Sequence, residues 1–262
     1  MFKHQGKKRT VQHNLRIAIV LSFVAGIVNV SGILAFNELT TNVTGHFALF
    51  IRDVADFKFW KGTIYFLYIF SFLFGSFSSN ILIENFKENK KLNVFVIPTL
   101  IECMILSGVA IMSNTSQFNA EVMVCLLLFA MGLQNSFVTK LSNAVVRTTH
   151  LTGLFTDLGI ELSQLFFPKT HPNRKEIKST IKLRLYIIAF FFLGGLSAGF
   201  FYSTLELKLN TLFLGVAILI MSLFYDDMRL KYIKVKRRQR RLRNYSNKLR
   251  KRAKLKSYSQ NP

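Results

Sequence analysis

Six stretches of this chain, roughly residues 15–36, 62–83, 93–113, 121–143, 183–203 and 209–227, are apolar over about the length a lipid bilayer demands. A spanning helix needs about 20 mostly apolar residues at 1.5 Å rise each. Backbone N–H and C=O groups in hydrocarbon must be satisfied within the segment, which a helix does. The expected fold is an all-α polytopic membrane protein with six transmembrane helices. Most connections between the stretches are short, so residues 15–228 read as one transmembrane domain, flanked by basic segments at 1–14 and 229–262.

Inside this frame one polar phrase is written twice. Thr40-Thr41-Asn42-Val43-Thr44-Gly45-His46-Phe47 returns as Thr148-Thr149-His150-Leu151-Thr152-Gly153-Leu154-Phe155. Each copy follows an apolar segment containing Phe-x-x-Gly-x-x-Asn, namely Phe23, Gly26 and Asn29, then Phe129, Gly132 and Asn135. Self-similarity of this kind points to a duplicated unit, here repeat one over 15–113 and repeat two over 121–228. Phe74-Gly75-Ser76-Phe77-Ser78 also resembles Leu193-Gly194-Gly195-Leu196-Ser197. Three crossings per unit is an odd number, so the second copy starts from the opposite face and the repeats are inverted. In membrane proteins such repeats meet at a substrate or ion path near the midplane, and one repeat rocks against the other.

Orientation follows from the basic residues, which favour the cytoplasmic side of short loops. With the N-terminus inside, 31 Lys and Arg are cytoplasmic and four, Arg52, Lys58, Lys61 and Lys208, are outside. Both termini are therefore expected in the cytoplasm. Residues 43–57 and 151–167 are too short and too often interrupted, by Arg52, Asp53, Asp157 and Glu161, to be full spans. They read as partial, re-entrant or surface-lying helices after spans one and four. Lys3, Lys7, Lys8 and Arg9 before an apolar run resemble a signal peptide, but no small-residue cleavage site follows and a retained first helix is expected.

The net charge of +22 is concentrated at one end. The stretch from Arg229 to Lys256 holds fifteen Lys or Arg and no acid. Beside a final span such a block attracts anionic lipid, at about 1 kcal/mol per basic residue. Nucleic acid is the disfavoured partner, because no recognition fold accompanies Arg237, Arg238, Arg240, Arg241 and Arg243. Cys103 and Cys125 fall inside predicted spans and read as apolar packing residues.

The same motifs resemble a known family. Phe-x-x-Gly-x-x-Asn, Thr-Gly-His-Phe, Gly132-Leu133-Gln134-Asn135, Arg147 through Gly153, and Thr156-Asp157-Leu158-Gly159 look like the YoaK-like family of bacterial six-helix integral membrane proteins. The resemblance covers about residues 15–227 and is more specific in the second half. It implies a six-helix domain in a bacterial plasma membrane and brings no established activity. Asn29 stands where that family commonly has Asp, and His46 where it commonly has Asn, which puts a shared ion-coupling role in doubt here.

The candidate path residues are Thr44, Gly45, Thr152, Gly153 and Asp157, with Asn29, Asn135 and Glu102 lining it. A helix starting near Thr152 or Gly153 presents unpaired N–H groups and a positive dipole end, and Arg147 just before it suits an anion. The plainer reading of Thr152 is an N-cap. Asp157 and Glu161 lie four apart on one helix face, and Asp53 corresponds to Glu161; these suit proton exchange if buried, or simple pairing with Arg52 or a loop Lys. His46 and His150 are secondary candidates as pH-sensitive groups or plain hydrogen-bonding residues. Glu102, amid apolar neighbours in span three, must be protonated, paired or facing water. Asn29, Gln134 and Asn135 can hydrogen-bond between helices or contact a ligand. No metal or cofactor is expected, and no His-Glu-x-x-His, Gly-x-Ser-x-Gly or phosphate loop with Lys occurs, so an enzyme is the least favoured class. A transporter or channel for a small polar or anionic solute leads. The alternative is a non-transporting scaffold or sensor whose tail engages lipid or a cytoplasmic protein.

Overall fold

Two of the apolar helices are buried on most of their circumference, and the rest of the chain is arranged around them. The computed structural model describes residues 11–86, 95–115, 119–167 and 173–225, with the single positions 235 and 239. The basic N-terminal cluster, Lys87, Lys90 and Lys91, residues 168–172 and almost all of the basic tail lie outside the described residues. By its contacts the chain divides at Met221, and the packing and sites described below lie in the unit Met1–Met221.

The chain is all-helical over the described residues. Its elements are α1 (Val11–Phe36), α2 (Val43–Ala55), α3 (Phe59–Phe86), α4 (Val96–Met112), α5 (Ala120–Ser142), α6 (Leu151–Gln164) and α7 (Arg174–Gly199). A π turn at Phe200–Thr204 and a 3₁₀ turn at Lys208–Thr211 then lead into α8, residues 212–225. Five segments are long and apolar enough to cross a membrane: Gln12–Phe36, Phe59–Phe86, Ala120–Ser142, Arg174–Thr204 and Lys208–Tyr225. α4 is apolar but has only 17 residues, short of the roughly 20 that a full span takes. α7 starts nine residues before the stretch expected from hydropathy, because its first two turns, rich in Lys and Arg, still continue the helix.

Burial sorts these helices. In α1 and α5, 61% of the apolar window is buried, against 22% in α3 and α7. Ile17, Leu21, Val24 and Val28 of α1 and Val124, Leu128, Met131 and Phe137 of α5 are fully inaccessible. α3 instead exposes Phe66, Phe70, Leu73, Phe74 and Phe77 along one side. An apolar face of that extent is disfavoured in water and natural against acyl chains.

The principal packing pairs are α1 with α7 and α3 with α5; α2 lies on α3, α6 on α7, and α4 on α5. Glycine sets the two main crossings. A Cβ on Gly26 of α1 would overlap the Phe191 carbonyl of α7, and one on Gly194 of α7 would overlap the Phe23 carbonyl of α1. At the other crossing a Cβ on Gly132 would overlap the Phe72 carbonyl, and one on Gly75 the Phe129 carbonyl. Close approach of backbones through small residues is how helices gain contact area in a membrane, where dispersion replaces the hydrophobic drive. Each crossing thus uses one glycine from Phe-x-x-Gly-x-x-Asn and one from the Gly75/Gly194 motif.

Both buried helices end in the same way. Asn37 after α1 has φ 57° and Asn143 after α5 has φ 53°. This is the left-handed conformation that Asn tolerates best among residues with a Cβ, and it turns the chain sharply into each Thr-Thr segment.

Candidate functional site

The Thr-Thr segments are fastened to the helices that precede them. Thr41 Oγ1 donates to Asn29 Oδ1 at 2.9 Å, and Thr149 Oγ1 donates to Asn135 Oδ1 at 3.0 Å. Thr40 and Thr148 are fully buried behind them. Thr40 Oγ1 donates to the Val28 carbonyl at 3.0 Å, while Thr148 Oγ1 accepts from Gln134 Nε2 at 3.0 Å. Gln134 Nε2 also donates to the Leu21 carbonyl of α1 at 3.1 Å, across to the other buried helix. Asn29, Asn135 and Gln134 therefore hold the connections in place. Thr149→Val is expected to lower stability by about 1 kcal/mol, the net worth of one such bond, read as a drop in unfolding midpoint in detergent. Thr152→Val should change it by much less.

The two short helices then begin at equivalent positions, Val43 and Leu151. Neither Thr44 nor Thr152 is a cap: both lie in the first turn with their side chains exposed. The cap position belongs to Asn42, whose side chain accepts from Gly45 N at 3.2 Å, and to His150, which makes no capping hydrogen bond. The His150 ring instead lies against Gly153, where a Cβ would overlap it. Leu151 N donates to the Thr149 carbonyl at 3.1 Å, while the amides of Thr152 and Gly153 have no intrahelical acceptor by geometry and no side-chain cap, so they leave the positive end of this start uncovered.

That uncovered start opens on a polar cavity of about 420 Å³. Its walls carry Arg147, His150, Gly153 and Asp157 from the α6 side, and Thr180 and Arg184 from α7. Arg184 is fixed by a fork: its Nε and Nη2 donate to the two oxygens of Glu161 at 2.9 Å each, and its Nη1 donates to Asp157 at 2.9 Å. Arg184 was not among the residues singled out by sequence. The signal for it was an Arg at the very start of the apolar run 183–203, which hydropathy groups with the preceding loop although α7 begins at Arg174. Asp157 and Glu161 do share a face, as their spacing required, and that face serves to hold an arginine.

A larger cavity of about 720 Å³ lies between α1, α6 and α7, lined by Val30, Leu151, Phe155, Phe191 and other apolar residues. It carries no charged or hydrogen-bonding side chain and suits an acyl chain rather than a polar solute. Glu102 lines neither cavity. It is fully buried in α4, and neither of its carboxyl oxygens has a hydrogen-bond partner among the described residues.

The first helix start is built differently. Gly45 is capped, and His46, Asp53 and Glu38 gather beneath α2 beside Tyr65 and Tyr68 of α3. Asp53 is 1% exposed and takes Arg52 Nη2 at 2.7 Å and Nε at 2.8 Å on one oxygen, leaving the other without a partner. Among the described residues, no group of three or more His, Cys, Asp or Glu is arranged to hold a metal ion.

Comparison with known proteins gives one match. The family model described as a protein of unknown function, DUF1275, matches residues 17–225. No curated protein and no solved structure matches the chain.

Proposed function

The chain belongs to the DUF1275 family, whose motifs the sequence resembles and whose model spans the whole helical domain, and from that premise we propose that it is a transporter for a small anionic solute. The solute binds in the polar cavity at the start of α6. One observation carries this reading: Arg147, Arg184 and the uncapped α6 terminus converge on a single cavity of about 420 Å³, a volume suited to a small molecule. Helix termini and arginines are the groups that recognise carboxylate or phosphate oxygens, and Arg184 arrives pre-oriented by two carboxylates. The matched glycine crossings, the two left-handed asparagines and the two Thr–Asn bonds support a reading of six crossings as two related, oppositely inserted halves. The surplus of basic residues supports both termini inside, and the family resemblance supports a bacterial plasma membrane. A half-helix whose positive end faces an anion near the junction of two such halves is a recurring transporter arrangement.

Thermal unfolding of the detergent-purified protein tests this, with inorganic phosphate, sulfate, acetate and glutamate as probes, beside Arg147→Gln. An anion at about one hundred times its Kd should stabilise the wild type by about 2.7 kcal/mol. Arg147→Gln should weaken that anion at least tenfold, about 1.4 kcal/mol. Equal stabilisation of both proteins would remove the cavity from the reading. No stabilisation by any anion would remove the anionic solute.

A further inference from the structure

The two helix starts differ most at one position: His46 stands where the second copy has Leu154. His46 is 1% exposed. Its Nε2 lies 2.5 Å from the Leu39 carbonyl oxygen, which can only accept, so Nε2 carries the hydrogen. In the neutral ring Nδ1 is then a bare lone pair. Nδ1 is buried and has no hydrogen-bond partner among the described residues, and it faces Glu38 Oε2 at 3.7 Å. Two acceptors oppose each other across a gap that one proton would close.

The surroundings make the gap a compartment. The edge of Tyr68 meets the imidazole at 5.1 Å between centroids, and Tyr65 stacks on it at 6.0 Å. Among the described residues, charged and titratable groups reach this compartment from each neighbouring element. The α1–α2 connection contributes Glu38. α2 contributes Arg52 and Asp53, which neutralise each other. α3 contributes Tyr65, whose hydroxyl interacts with both Glu38 and Arg52, and Tyr68. Cys125 and Glu121 of α5 act on Tyr68 from behind. With Arg52 and Asp53 cancelling, Glu38 is left as the uncompensated charge nearest the bare nitrogen.

We propose that His46 Nδ1 and the Glu38 carboxyl together bind a single proton, and that this is the coupling ion of the transporter proposed above, on which reading the coupling role rests. The chemistry is a proton transfer only: one proton enters from water, an N–H or O–H bond forms at one of the two groups, and the other accepts it in a hydrogen bond. Leaving reverses the step. Burial supports it by drawing both groups toward their uncharged forms, Glu38 upward from the ordinary carboxyl value and His46 downward from the ordinary imidazole value. The two shifts run toward each other, and close interaction between two such groups makes them titrate as a unit.

The test is nuclear magnetic resonance of the full chain in detergent with isotope-labelled histidine rings, titrated from about pH 8 to about pH 4, a range spanning both ordinary values. The His46 signal is identified by its loss in His46→Leu, or in His46→Asn should the leucine variant misfold. The expected result is an Nε2–H ring throughout, with an Nδ1 shift whose midpoint moves by about one pH unit or more in Glu38→Gln. A flat Nδ1 shift, or a midpoint that Glu38→Gln leaves unmoved, overturns the proton site. A second arm measures uptake of labelled phosphate and sulfate into proteoliposomes under an inward proton gradient. Glu38→Gln should lose gradient-driven accumulation at least tenfold and keep anion exchange. Accumulation unchanged in Glu38→Gln overturns the coupling role. Absence of any uptake by the wild type overturns transport and coupling together, while the resonance titration still decides the proton site.

Discussion

Gly26→Val and Gly132→Val are each expected to abolish the folded protein in detergent. Ordinary overpacking costs about 1–3 kcal/mol, because displaced side chains find other rotamers. Here the obstacle is a carbonyl of the facing helix, Phe191 or Phe72, with the amide of Gly195 or Ser76 close behind, and a backbone has no rotamer to adopt. The helices would have to separate along their whole contact, so the loss should exceed that range. Gly108→Ala and Gly159→Ala are the controls, since nothing lies within 4 Å of a Cβ at either place. They should hold or raise stability, as Ala is favoured over Gly in helices by about 1 kcal/mol. Size-exclusion profiles and unfolding midpoints of the four variants check the contrast. Folded Gly26→Val with a normal midpoint would mean that the α1–α7 crossing is looser than the geometry implies.

The second large effect is expected at Arg184. Arg184→Gln removes a bidentate bond to Glu161, whose side chain is 14% exposed, and a further bond to Asp157, which is 51% exposed. The Asp157 arm is screened by solvent and worth little. The Glu161 arm is charge-assisted, and its loss leaves a mostly buried carboxylate unmatched, at a cost of about 2–3 kcal/mol. Arg184→Lys should not rescue, because an ammonium cannot make the fork. Glu161→Gln added to Arg184→Gln should restore part of the loss, since the stranded charge disappears. The double-mutant cycle in unfolding free energy measures this coupling, and strictly additive losses would show that the two side chains do not act together. Anion stabilisation should vanish in Arg184→Gln, whether or not the fold survives at lower temperature.

Hydropathy and repetition were enough to place α1, α3, α5 and the start positions of the two short helices, because each is governed by a local rule. Apolar length marks a span, and the doubled Thr-Gly phrase marks a turn followed by a helix. What the sequence hid depends on which helix faces which. Thr152 looked like a cap because Thr often is one, yet Asn143 turns the chain early enough that His150 takes that position. Arg184 looked like a loop cation because α7 begins before its apolar run. Glu38 and Tyr65 drew no notice, since neither belongs to the repeated phrase; only folding α2 onto α3 brings them to His46. The start of α4 at Val96 lies beyond what hydropathy could fix, as the two residues before it, Val94 and Phe95, are apolar too.

The glycine crossings also bear on how such a molecule could move. Each Phe-x-x-Gly-x-x-Asn helix is interlocked with the second long helix of the other half: α1 with α7, and α5 with α3. α6 travels with α7, and α2 with α3. For any motion, the crossings tie α1–α6–α7 into one group and α2–α3–α5 into another, each drawn from both of the repeated segments. A hinge between residues 113 and 121, where the sequence changes from one copy to the next, would tear both crossings. Motion between the two groups would have to pass along the α1–α5 contact, where Gln134 of α5 bonds the Leu21 carbonyl of α1, and so would have to break that bond.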